Sequence, residues 1–241
     1  MKKAWSLFFL VIFSSGPWVQ GDELPDWFTP LRDAVYSQEL ASKDLTGLYN
    51  TAREQAAKEL SGAELSVMYS RCEYMMGRAV LYEENSSAAD AYFSKGMSYA
   101  QESLDKKATA EGWQMLAENL SQLCTVRSTG FVMANGRKVE QYSNNALALD
   151  PGNTAAQFMV AARWVYAPAP FRNLNKGIQM MQAILSNFDN RLYKDDRFNV
   201  YSSIGYAYIQ QKKKDDAKPW LIKSLQVYPD NKYIVKLLAG L

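Results

Sequence analysis

Residues 198–231, FNVYSSIGYAYIQQKKKDDAKPWLIKSLQVYPDN, decide the fold. Tyr201, Ile204, Gly205 and Tyr208 fall at i, i+3, i+4 and i+7, which puts them on one face of a helix. A glycine there costs about 1 kcal/mol against alanine. Gly205 therefore needs a packing reason, and the expected one is close approach of a second helix. Lys212–Asp216 break the apolar pattern as a polar turn, with Asp215 or Asp216 placed to cap the second helix. Ala217, Leu221, Ser224 and Leu225 then share one face, and Pro229 ends that helix. Pro219 lies early in it, where proline is tolerated in or near a first turn and can tilt the axis.

This order of residues resembles the tetratricopeptide repeat (TPR), a 34-residue helix–turn–helix unit. Tyr201, Ile204, Gly205, Tyr208, Ala217, Leu221 and Pro229 stand at its signature positions, with Ser224 where alanine is usual. The resemblance implies an all-α, TPR-like α-solenoid.

Working outward, the same frame recurs. Met76, Gly77 and Val80 are followed by Ala89, Phe93 and Gly96. Trp113, Leu116, Ala117 and Leu120 precede a segment ending in ALALDP, residues 146–151. Phe158, Ala161, Ala162 and Val165 precede the loop APAPFRN, then Gly177, Met181 and Ile184. The frame positions Glu73, Trp113, Phe158 and Tyr201 are 40, 45 and 43 residues apart. Such spacing overlaps HEAT and armadillo repeats, but the excess falls in identifiable loops and two repeat ends carry proline. The expected layout is four helix pairs, near 70–103, 110–153, 155–191 and 198–231, within one helical domain at 43–241. An arm at 22–42, with one short helix around Pro30–Leu40, and a helix over Asp44–Leu60 precede the pairs. A cap helix at 232–241 comes after them, as solenoid ends require. TVRSTGFVMANGRK, with two glycines and an Asn-Gly pair, reads as an extended loop, or as an overlong helix followed by a loop, before a helix over Val139–Leu149.

Residues 1–21 carry Lys2 and Lys3, a short apolar core AWSLFFLVIF, and a polar stretch with Val19 and Gly21 at cleavage spacing. This is the pattern of a secretory signal peptide, too short an apolar run to span a bilayer comfortably. Its retention as an anchor stays open. Removing it takes the balance from 27 basic and 25 acidic residues to 25 of each. A neutral chain argues for neither nucleic acid nor an anionic membrane surface. Cys72 and Cys124 fall at different heights on adjacent first helices, about 12 residues or roughly 18 Å apart. They are expected to be small apolar side chains rather than a disulfide.

The layout AYFSKGMSYAQESL, a long loop, ALALDP, AARW, a proline loop and a clean final repeat is similar to bacterial periplasmic TPR proteins that accompany tripartite (TRAP-type) solute transporters. That likeness implies a secreted, non-enzymatic protein working by contact with a solute-binding partner. Members can be lipoproteins; this chain has no cysteine near the cleavage region.

The chain has no histidine, which removes His-based triads and His-ligated metals, and no CxxC, P-loop or GxGxxG. No cofactor or metal is expected. Two carboxylates can suffice for glycoside cleavage, but Glu83–Glu84, Asp195–Asp196 and Asp215–Asp216 all fall at turns and read as solvated helix ends. Met75, Met76, Met180 and Met181 read as core. The TPR resemblance implies that first helices line a concave face. Its contact positions fall on Arg71, Tyr74 and Arg78; on Glu111, Gln114 and Glu118; on Met159, Arg163 and Tyr166; and on Asn199, Ser202 and Tyr206. Arg78 and Arg163 suit a carboxylate. The expected function is a periplasmic adaptor binding a protein or peptide in this groove, with self-association open. The alternatives are a small-molecule or lipid-binding accessory of a solute transport system, and a solenoid glycosidase needing two converging carboxylates.

Overall fold

The computed structural model describes residues 24–241. Among them all regular structure is helical: α1 (Thr29–Ser37), α2 (Thr46–Glu59), α3 (Gly62–Tyr82), α4 (Ser86–Lys106), α5 (Ala110–Val126), α6 (Thr129–Leu149), α7 (Thr154–Tyr166), α8 (Leu174–Phe188), α9 (Lys194–Gln210), α10 (Lys214–Val227) and α11 (Lys232–Ala239). Short polar residues start most of them. Asn85, Thr109, Ser128, Asn153, Asn173 and Asn231 each accept a bond from the backbone N–H three residues on. Such caps satisfy donors a helix start leaves free. The second helix of the 198–231 stretch is among those that lack such a cap. Neither Asp215 nor Asp216 caps α10; both lie in its first turn, where they complement the helix dipole.

Short connections fold the chain into antiparallel pairs α3–α4, α5–α6, α7–α8 and α9–α10, stacked in order into a TPR-like solenoid. The signature glycines do what their position demands. A methyl group on Gly205 would lie 2.6 Å from Leu221 Cδ2, and one on Gly77 2.5 Å from the Phe93 ring. Only glycine lets the two helices of a pair approach this closely. The first helices also pack on one another, α3 on α5, α5 on α7 and α7 on α9, while the second helices have no comparable mutual packing. The first helices therefore form the inner, concave wall.

The segment expected as a long loop, or as an overlong helix and then a loop, is the start of a second long helix instead. α5 stops at Val126 and α6 begins at Thr129, so the break spans only Arg127 and Ser128. Ser128 caps α6, and Arg127 is held by Asp90 on α4 at 2.5 and 2.7 Å and sits over the Phe131 ring. Those contacts outweigh the roughly 1 kcal/mol that each of Gly130 and Gly136 costs a helix.

The N-terminal arm also has a larger part than the sequence indicates. α1 crosses the inner wall and touches both α3 and α9. Its Leu31, Val35 and Tyr36, with Phe28 before it, join Phe198, Tyr228 and Ile234 in one core. Tyr36 stacks on Tyr228 at 5.2 Å and meets Phe198 edge-on at 5.5 Å. Asn231 Nδ2 donates to the Tyr36 carbonyl at 2.7 Å, and Asp33 accepts from Lys194 and Tyr228, both at 2.9 Å. The beginning and end of the described chain are thus tied together across the concave face. Both cysteines are free thiols; Cys72 is buried and burial pushes its thiol up to about 12. Residues 1–21, expected as a signal peptide, lie outside the described residues.

Candidate functional site

The twelve concave-face positions divide into groups that do different things. Arg78, Tyr74 and Asn199 hold α1. The Arg78 guanidinium donates to the Tyr36 hydroxyl at 3.0 Å, to Tyr74 at 3.3 Å and to Tyr82, and it lies 4.4 Å over the Tyr36 ring. Asn199 Nδ2 donates to the same Tyr36 hydroxyl at 2.9 Å. Arg78 is therefore not an open carboxylate receptor; its fork is spent on tyrosines. Tyr74 is buried, and burial pushes its phenol up to about 12.

Arg71, Gln114 and Glu118 belong to a second group. Gln114 Nε2 donates to Glu118 Oε1 at 3.3 Å, and Asn153 Nδ2 donates to Gln114 Oε1 at 2.9 Å. Burial raises the Glu118 carboxyl to about 7, against the lowering pull of Arg71. Asp195 and Asp196 join this group and are not the solvated helix end that their turn position suggests. Both are buried in the first turn of α9, roofed by α1. Asp196 accepts from Thr154 Oγ1 at 2.9 Å, while Arg32 Nη1 on α1 stands 3.9 Å from Asp195 Oδ1. Desolvation raises both carboxyls, and Asp195 and Glu118 push Asp196 higher still.

Tyr166 and Tyr206 form the third group, and it is open. Their rings stack at 5.3 Å, and the Tyr166 hydroxyl shares a 2.9 Å hydrogen bond with Ser203 Oγ. Tyr166 is 53% exposed, and the desolvation of its phenol pushes it up to about 12. Tyr233 of α11, 42% exposed, lies within the field of Tyr166, Tyr206 and Tyr82. This aromatic surface flanks the part of the inner wall that α1 covers.

The remaining positions stand apart. Glu111 is exposed, Met159 and Ser202 are buried, and Arg163 is paired with Glu140 of α6 and lies over Trp164. Sequence reasoning missed Tyr36, Tyr82, Tyr233 and the buried acid pair. The apolar spacing of Leu31, Val35 and Tyr36 was the one signal that could have placed the arm against the wall.

Among the described residues no group of cysteine and acidic side chains is disposed to hold a metal ion, and no helix is long and apolar enough to cross a membrane. No protein-family model matches the chain, and no curated protein matches it. Among solved structures it is similar to YrrB, a TPR protein described as having an unusual peptide-binding site. The likeness has a TM-score of 0.38 at 14% identity and covers 92% of this chain and 93% of that one.

Proposed function

We propose that the protein is a non-enzymatic interaction module that binds a protein or peptide segment on the aromatic part of its inner wall. The observation that carries this is the half-exposed Tyr166 stacked on Tyr206. Exposed tyrosine held rigid by its neighbours gives large contact area at little entropic cost, and tyrosine is among the side chains that dominate interface energetics. The same wall already binds a helix, its own α1, through Arg78 and Asn199. Residues 1–21 favour a periplasmic setting, and the layout's similarity to TRAP-associated TPR proteins favours a solute-binding or other envelope protein as partner.

The test is cross-linked affinity capture of the full-length protein from its native envelope, compared with Tyr166→Ala and Tyr233→Ala. The expected result is an envelope protein recovered with wild type and lost with both variants. Capture unchanged by either substitution would overturn the site. N-terminal sequencing of the envelope form is expected to begin at Asp22, and a retained Met1 would overturn cleavage and make residues 1–21 an anchor.

A further inference from the structure

The two ends of the solenoid carry opposite charge. α2 flanks the first helix pair and packs on α3, and α11 flanks the last and packs on α10. From Glu39 to Glu64 the chain has five acidic and three basic residues, and one of the three, Arg53, is turned inward onto buried Glu73. From Lys212 to Lys236 it has seven lysines and three aspartates. Glu39, Asp44, Glu54 and Glu64 are exposed, and none is ion-paired among the described residues. The same holds for Lys212, Lys213, Lys218, Lys223, Lys232 and Lys236. These charges face water at both ends and are not spent inside the molecule.

The last helices also lack the wholly polar outer face that a solenoid cap needs to stay apart from other surfaces. α11 turns Ile234 inward. Lys232, Val235, Lys236 and Ala239, at i, i+3, i+4 and i+7, share another side, and all four are exposed. On α10, Lys218, Ile222 and Gln226 fall on one exposed side in the same way. Val235 is 49% and Ile222 43% exposed. At the acidic end Leu40, beside Glu39, is exposed as well. Apolar side chains within a charged rim are the make-up of a protein interface. A basic end alone would fit any acidic surface, but this molecule carries the matching acidic end itself.

We propose that copies of this chain associate head to tail, the lysine-rich α10–α11 end of one against the acidic α2 end of the next. Such a contact joins two different surfaces, so it repeats until a ring closes or a filament extends. It is weak and fades with salt, because exposed ion pairs contribute little and are screened. It rests on neither Tyr166 nor Tyr206 and stands apart from the reading of that surface.

The test is sedimentation velocity of the native protein over a concentration series, at low salt and at about 1 M salt, where the screening length falls to about 3 Å. At low salt the mean mass is expected to rise with concentration above that of one chain, with association about ten-fold or more weaker at high salt. A head variant carries Glu39→Lys, Asp44→Lys and Glu54→Lys; a tail variant carries Lys218→Glu, Lys232→Glu and Lys236→Glu. Each alone is expected to associate about ten-fold or more weakly than wild type, with unchanged helical circular dichroism. An equimolar mixture of the two is expected to recover association, because each reversed end then meets its opposite. Should a variant lose its cooperative melt, its neutral counterpart, with glutamine or asparagine at the same positions, is expected to weaken association several-fold. Three results would overturn the contact: wild type that stays monomeric at every concentration at low salt; wild-type association in either folded variant alone; or a mixture that associates no better than its separate components.

Discussion

Glu73 stands at a position where the repeat frame elsewhere carries an aromatic residue, and its surroundings explain the exchange. The side chain is fully buried, and its Oε1 accepts from Tyr49 at 2.7 Å and from Arg53 and Lys95, both at 2.9 Å. Arg53 in turn lies 4.0 Å over the Tyr69 ring. One carboxylate thus ties α2 and α4 to α3. Glu73→Ala leaves those donors facing an empty site and is expected to destabilise by about 3 kcal/mol, the low end for a broken buried pair because Lys95 reaches water. A urea unfolding midpoint equal to wild type would remove that role. Two glycines give an opposed pair of expectations. A methyl on Gly205 meets Leu221 Cδ2 and Cγ at 2.6 and 2.8 Å, so Gly205→Ala should destabilise by about 1–2 kcal/mol after its gain in helix propensity. On Gly136 the nearest atom is 3.7 Å away, so Gly136→Ala should stabilise by about 1 kcal/mol. Thermal melts of the two variants shifting in the same direction would contradict the packing argument.

At the scale of elements, α1 turns an open solenoid wall into a partly covered one. Phe28, Leu31 and Tyr36 are fully buried and Val35 nearly so, each contributing roughly 1.5–3 kcal/mol by burial. Tyr36 also closes the hydrogen bonds of Arg78 and Asn199. Tyr36→Ala should therefore cost about 3–5 kcal/mol and loosen the whole element. Hydrogen exchange should accelerate across residues 29–37 and leave the α3–α4 pair protected; unchanged exchange at 29–37 would show that α1 is held otherwise. The helix pairs were legible because their apolar spacing and their glycines repeat, and each pair is a local event between chain neighbours. The contacts of α1 with α9 join residues more than 160 positions apart, such as Tyr36 and Asn199, and no local pattern encodes such a partner. α6 was misread for a different reason: Gly130 and Gly136 signal a loop by propensity, while the Arg127–Asp90 clamp that favours helix comes from α4. Asp195 and Asp196 were misread because a turn position normally means solvent, and here the solvent side is covered by α1. The aromatic surface was half legible: Tyr166 and Tyr206 came from the repeat frame, whereas Tyr233 lies beyond the last repeat.

At the scale of the molecule, the distribution of carboxylates sets how stability responds to pH. Asp33, Glu83, Asp90 and Glu102 are held below the ordinary range. For the last three the leading causes are bonds from Ser42, Arg127 and Lys106 respectively; for Asp33, bonds from Lys194 and Arg32 overcome burial. Their stabilisation is present above the unfolded carboxylate range near pH 4 and is lost as pH falls through their lower folded values. Glu118, Asp195 and Asp196 run the other way. Burial leads in all three, raising Glu118 from 4.5 to about 7. The groups acting on Glu118 are Arg71 and Arg78 from α3, Asp195 from α9 and its own Gln114. A carboxyl raised in the folded state binds more protons folded than unfolded, so its contribution is full below pH 4.5 and is lost as pH rises through about 7. The inner cluster should make the protein more stable near pH 5 than near pH 8. Glu118→Gln keeps an acceptor for Gln114 and has no charge to bury. It should match wild type near pH 5 and exceed it by roughly 1–3 kcal/mol at pH 8. Urea unfolding at the two pH values measures this directly. Parallel wild-type and variant profiles would mean that Glu118 ionises freely inside the wall, its charge already met by Arg71.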